Sequence, residues 1–238
     1  MPTRTPDARH PRDHVMAVRY QQASAEIRAL QRQCYALARL RLDQAIEAAG
    51  GGAGLAVVSD IDETILDNSA VMATAIQHEG RYRNLDTWKL WEREGTPHLI
   101  PGAADFLAHA DAAGVAIFYL SDRFDENKLA TIATLSRLGL PQVRAERVLL
   151  LGPAKGERRA RIARDYRIVL QLGDTLHDFD HVFAGAPLEE QHRLVEDRHS
   201  RFGVDWIVFP NAAHGSWADA VLRPWPHPHH AGGAAAET

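Results

Sequence analysis

The stretch VVSDIDETILDN, residues 57–68, begins as an apolar run and then sets Asp60, Asp62, Glu63 and Asp67 close together. Like charges this near repel, so a cation, a proton or exposure to water has to relieve them. The residues leading in, Leu55 to Val58, show no polar alternation. That is the pattern of a strand buried on both faces of a parallel sheet. The acids therefore leave the carboxyl end of a buried strand, which is where α/β sheets collect ligands.

The same pattern recurs outward from this strand. LAVVSD (55–60), VAIFYLSD (115–122), RVLLLG (147–152), RIVLQLGD (167–174) and VDWIVFPN (204–211) alternate with helical segments at 102–114, 127–139 and 155–166 and a helical stretch to about 202. Strands separated by helices predict a doubly wound α/β domain with a mainly parallel sheet. Within residues 15–54 the pattern changes at Ser24, from which Ile27, Leu30, Cys34, Leu37, Leu42, Ala45 and Ile46 recur near helical spacing. They predict one long amphipathic helix packing on the core or on a cap and ending at GGGAG, 50–54. Residues 67–100 interrupt the alternation and carry Tyr82, Trp88 and Trp91. They read as a small helical cap inserted into a domain spanning 55–222. Residues 1–14 read as a loose leader and 223–238, with HPHPHH, as a disordered tail.

Composition narrows the class. A net charge of −4 offers no electrostatic case for a nucleic-acid polymer. The single cysteine, Cys34, excludes an intrachain disulfide and Cys-rich zinc patterns, and its apolar helical position reads as core. No run approaches the ~20 apolar residues of a membrane span. The first twenty residues lack the apolar segment of a signal peptide, so the chain as written reads as cytoplasmic. A trimmed leader would instead make it periplasmic or secreted.

Four groups carry the chemistry. Two acids at i and i+2 leaving a strand suit a nucleophile and an acid/base; alone, DxD also describes a solvated Asp-rich turn. A carboxylate attacking phosphorus needs a cation against the phosphate oxygens, and Mg²⁺ prefers such hard oxygen ligands. Ser121 ends a second strand and offers a hydroxyl to phosphate, or simply makes a turn. Lys155 opens a helix and offers a point charge, or a solvated helix end. Gly173 makes the turn before Asp174 and Asp178, which share a helical face; Asp174 would equally serve as a helix cap.

The ordered set resembles the haloacid dehalogenase superfamily of aspartate-nucleophile phosphatases, over about 55–211. DIDETILDN, FYLSDR, GDTLHDF, FPNAAHGSW and the helical EIRALQRQCYALA are closest to the class C acid phosphatase and 5′-nucleotidase lipoprotein family. The resemblance implies a haloacid dehalogenase-like fold with Asp60 as nucleophile and Asp62 as general acid/base. It implies Ser121 and Lys155 as phosphate ligands, and Mg²⁺ held by Asp60, the Asp62 carbonyl and Asp174 with support from Asp178. It further implies a small phosphomonoester substrate, with Arg123 binding it and a nucleotide base stacked between Trp88 and the His214 position, which is usually Tyr in the family. A homodimer is implied too. Trp88 and Trp91 also read as cap core, the reading preferred for Trp91. Asp62 needs a raised pKa to act first as an acid, while Glu63 and Asp67 are expected to face the loop or solvent, and His177 to bear on pH dependence. Competing readings are a sugar-phosphate phosphatase, a phosphotransferase or a catalytically idle scaffold. The carboxyl at Asp62 argues against dehalogenation, because it serves to protonate an alcohol leaving group.

Overall fold

The computed structural model describes residues 14–78, 85–221 and 223. The expected leader up to residue 13, Tyr82 and the tail from 224 lie outside the described residues.

The strands are β1 (Leu55–Ser59), β2 (Leu66–Asp67), β3 (His98–Leu99), β4 (Ala116–Leu120), β5 (Val148–Leu149), β6 (Arg167–Gly173) and β7 (Trp206–Val208). Five of them form an all-parallel sheet in the order β5-β4-β1-β6-β7. The chain builds outward from β1 through β4 to β5, then returns to lay β6 and β7 on the other side of β1. Strand order thus reverses at β1, and the carboxyl ends of β1, β4 and β6 open at that crevice.

Alternate residues of the central strands face two different cores. Leu55 and Val57 of β1 join Ile117 and Tyr119 of β4 on one side, whereas Ala56 and Val58 join Ala116, Phe118 and Leu120 on the other. Burial on both faces explains why these strands lack polar alternation. The helices are α1 (Val15–Ala23), α2 (Ala25–Ala49), α3 (Ser69–Gln77), α4 (Leu85–Glu94), α5 (Ala103–Ala112), α6 (Lys128–Arg137), α7 (Lys155–Ile162) and α8 (Leu188–Asp197). The arrangement is the doubly wound α/β fold that the strand pattern predicts.

The single long N-terminal helix is instead two. Ser24 adopts an extended backbone, and its Oγ accepts the N–H groups of Glu26 and Ile27, capping α2. The break lets the two helices serve different partners. Tyr35 of α2 packs its ring against Phe106 and Phe209 at 5.6 and 4.7 Å and donates its hydroxyl to the Thr64 carbonyl at 2.7 Å. Val18 of α1 clusters with Val71, Met72, Trp88 and Trp91 of the 67–100 segment. Cys34 is half-buried against the main core, its thiol pushed up to about 11 by burial.

The 67–100 segment leaves and rejoins through the antiparallel pair β2–β3, where Leu66 faces Leu99 and Asp67 faces His98. The helices α3 and α4 lie between. Asp67 accepts the Ser69 N–H at 2.8 Å, so it anchors the start of α3 rather than facing solvent freely. Among the described residues, no helix is long and apolar enough to cross a membrane.

Candidate active site

Asp60 follows β1 directly, and its N–H donates to the Leu172 carbonyl of β6 at 2.9 Å, continuing the ladder one residue past the strand. Its carboxylate meets Lys155, whose Nζ lies 2.6 Å from Asp60 Oδ1 and 2.5 Å from Asp178 Oδ1. Lys155 begins α7, so the first turn of a helix delivers a buried ammonium to the strand ends. Asp178 turns its other oxygen to the Thr175 N–H and hydroxyl at 3.0 and 2.8 Å. Gly173 makes this possible: a Cβ there would stand 2.4 Å from Asp178 Cβ, so no larger residue fits.

Oxygens of Asp60, Asp174 and Asp178 lie within 4.8 Å of one another. Burial raises the Asp60 pKa well above the carboxylate range, against the pull of Lys155, and the neighbouring acids add to it. Burial and then Asp178 push Asp174 up to about 7. Burial works to raise the Asp178 pKa, but Lys155, His177 and the hydrogen bonds from Lys155 and Thr175 together hold it below its ordinary value. Burial disfavours the Lys155 ammonium, but Asp178 and Asp60 overcome it and hold its pKa high. Three carboxylates against one ammonium leave a shortage of positive charge. The hard oxygen set and its geometry therefore fit a divalent cation.

The Asp62 carboxylate lies outside this cluster. Arg123 donates to its Oδ1 from Nη2 and Nε at 2.8 and 2.9 Å, Ser121 Oγ to its Oδ2 at 3.0 Å, and Asn68 Nδ2 to its Oδ1 at 2.8 Å. Burial works to raise the Asp62 pKa, yet Arg123 and these hydrogen bonds outweigh it, so the carboxyl is held below its ordinary value. This reverses the raised value expected from a dry pocket alone. The charge that decides the sign comes from a residue sixty-one positions away.

Glu63 also departs from expectation. It is completely buried, with a left-handed backbone at φ +56°, and faces inward. One oxygen accepts the Asn68 N–H at 3.0 Å and the other lies 2.9 Å from His214 Nε2. Asn211 donates to Asp174 Oδ2 at 2.7 Å, and the same nitrogen stands 3.3 and 3.1 Å from the two ring nitrogens of His214. Near-equal distances place that amide over the imidazole and not in its plane.

These groups surround a cavity of about 970 Å³. Asp60, Asp62, Ser121, Arg123, Lys155 and Asp174 line it, as do Trp88 and His214, while Asp178 stands behind. His177 also lines it, with Nε2 3.4 Å from Asp122 Oδ2. Trp91 packs against the cluster of Val18, Val71 and Met72 and donates Nε1–H to Asn68 Oδ1 at 2.7 Å.

Several contributors escaped the sequence reading. Asn68, inside DIDETILDN, links Trp91 to Asp62. Buried Glu92 accepts the Phe124 N–H and an Asn127 amide N–H at 3.1 and 2.9 Å, tying α4 to the loop after β4. Arg158, three residues after Lys155 and buried, donates Nη1 to the carbonyls of Ser121, Leu149 and Leu150 at 2.7, 3.0 and 2.8 Å. Its Nη2 reaches Asp122 at 2.5 Å. The only local signal for Arg158 is its i+3 relation to Lys155, which fixes the face it shares but not its partners.

Residues 5–217 match the family model described as HAD superfamily, subfamily IIIB (acid phosphatase). The structure is similar to that of the class C acid phosphatase from Bacillus anthracis, at 35% sequence identity and a TM-score of 0.82, covering 87% of this chain and 87% of that one. The crystal structure of that enzyme with tungstate bound matches with the same identity, coverage and score. The chain belongs to the HAD superfamily, subfamily IIIB, and is an acid phosphatase, a hydrolase of phosphomonoesters.

Proposed function

We propose that this acid phosphatase works through an aspartyl-phosphate formed on Asp60, uses Mg²⁺, and prefers nucleoside 5′-monophosphates. The observation that carries the proposal is the buried Asp60 carboxylate, 2.6 Å from Lys155 and beside Asp174 and Asp178 at the carboxyl edge of the sheet. Asp60 attacks phosphorus in line, while Lys155 and the Ser121 hydroxyl hold phosphate oxygens. When bound by Asp60, Asp174 and the Asp62 carbonyl, with Asp178 in support, Mg²⁺ supplies positive charge against the phosphoryl oxygens.

Asp62 donates a proton to the leaving alcohol and afterwards takes one from the water that hydrolyses the phosphorylated Asp60. Held ionised by Arg123, it is prepared for the second role. An entering phosphate dianion gives Arg123 a competing anion and loosens its hold on Asp62, which favours the protonated form needed first. The 67–100 segment acts as the cap that limits water in this site. Trp88 and His214 hold the base between them, supported by their common place in the cavity lining. Tungstate, bound by the Bacillus anthracis relative, is an oxyanion like phosphate and supports an oxyanion site in this family.

The test is phosphate release from 5′-AMP, 3′-AMP, a sugar phosphate and p-nitrophenyl phosphate, with Mg²⁺ and with EDTA. Mg²⁺-dependent release favouring 5′-AMP is the expected result. Equal release from all four would remove the nucleotide preference, and undiminished turnover by Asp60→Asn would remove the nucleophile.

A further inference from the structure

The cavity has a wall that none of the phosphate chemistry uses. Leu188, Gln191, His192 and Val195 of α8, at i, i+3, i+4 and i+7, all line it. That spacing is one face of a helix, and it carries no carboxylate, ammonium or guanidinium. None of the charged residues of α8 lines the cavity, and Arg193 pairs along the helix with Glu190 at 2.5 Å and Asp197 at 2.6 Å.

One of the two polar members of the face is already engaged. Gln191 donates Nε2–H to the Ala186 carbonyl at 2.7 Å and accepts the Ser216 hydroxyl at 2.9 Å. Its amide thereby joins the turn before α8 to the segment that carries His214 and Trp217. Phe183, 3% exposed, backs the wall from a cluster with Phe179, Leu194 and Trp206, so the surface is braced by packed core. This wall of Leu188, Gln191, His192 and Val195 is continuous with the Asp60–Lys155 end through a single cavity.

We propose that the α8 wall is a leaving-group subsite for an alkyl or aryl substituent on the alcohol of the phosphomonoester, beyond what Trp88 and His214 hold. The proposal rests on the phosphatase reading above. A phosphate anchored at Asp60 would direct the substituent into the same cavity, where burial of apolar surface against Leu188 and Val195 favours binding.

The experiment measures kcat/KM of the Mg²⁺-loaded protein for ethyl, butyl, hexyl and octyl phosphate. Each methylene that reaches the wall should raise kcat/KM by up to about fourfold. Leu188→Glu should flatten this slope, while Glu189→Gln, outside the lining face, should keep it. A flat slope in the parent protein, with ethyl phosphate still hydrolysed, overturns the subsite and leaves the phosphatase reading standing. Release from none of the esters with 5′-AMP still hydrolysed overturns the subsite alone, and release from neither the esters nor 5′-AMP overturns the reading on which it rests as well. An unchanged slope in Leu188→Glu also overturns the subsite, and Val195→Asn provides the same comparison should the first variant not fold.

Discussion

The Arg123 guanidinium holds the Asp62 carboxylate through two nitrogens, Nη2 at 2.8 Å and Nε at 2.9 Å from the same oxygen. The carboxylate proposed to deliver a proton is thereby kept ionised to low pH. Such an acid works only while protonated, so kcat/KM falls as pH rises through its pKa in the free enzyme. A lowered pKa places that fall on the acid side of neutrality. Arg123→Gln leaves burial as the dominant influence and should move the alkaline limb of the kcat/KM profile to higher pH. A limb that stays in place would exclude Asp62 as the titrating acid.

Lys155 ion-pairs with both Asp60 and Asp178, and all three side chains are at most 6% exposed. Lys155→Met removes the ammonium and leaves the two carboxylates facing each other. Without divalent metal this should cost about 3–5 kcal/mol, the range for breaking a buried ion pair. Denaturant unfolding at neutral pH in EDTA measures the loss, and added Mg²⁺ should restore part of it.

Asp174 has a pKa raised from 3.8 to about 7. A carboxyl that gains proton affinity on folding contributes stability fully present below its unfolded pKa and lost as pH rises through the folded one. In EDTA, Asp174→Asn should therefore gain stability relative to the parent as pH climbs from 3.8 through about 7. Excess Mg²⁺ should narrow or reverse the difference at neutral pH, because the parent then gains from binding the ion. Thermal melting across that window, with and without the ion, provides the check.

Glu63 accepts the buried Asn68 N–H. Glu63→Ala removes that acceptor and should destabilise by about 1–3 kcal/mol, with Glu63→Gln recovering part because its amide oxygen can still accept. Urea midpoints for the two variants should differ in that order. Equal midpoints would mean that the Asn68 contact carries little of the effect.

Arg158 gathers the carbonyls of Ser121, Leu149 and Leu150 onto one nitrogen. Lysine keeps the charge but lacks the planar fork that also reaches Asp122. Arg158→Lys should lower kcat on the order of 10- to 100-fold by misplacing Ser121, and weaken inhibition by inorganic phosphate. A loss of stability alone, with both kinetic readouts unchanged, would limit Arg158 to bracing the strands.

Much of the fold was readable because its cause is local. Buried parallel strands are apolar throughout, so Leu55 to Val58 and Ala116 to Leu120 announce themselves in a short window. Their polar exits mark Asp60, Ser121 and Asp174 as neighbours once the sheet is assumed parallel. The separate helix before Ser24 was less visible, since the apolar spacing that marks the long helix begins only at Ile27. What divides α1 from α2 is that one packs on the 67–100 segment and the other on the sheet.

The sequence by itself determined the parallel sheet, the order of its motifs and the strand ends at which the acids gather, because hydrophobic periodicity and chain order encode these directly. Tertiary structure decided the direction in which the pKa of each acid moves. Asp60, Asp62, Asp174 and Asp178 are chemically the same side chain, yet burial raises the first and third while Arg123 and Lys155 lower the second and fourth. It also turned Glu63 inward to His214 and brought the α8 face to the cavity. Electrostatic energy depends on distance through space and on exclusion of water, and neither quantity exists until remote segments have packed.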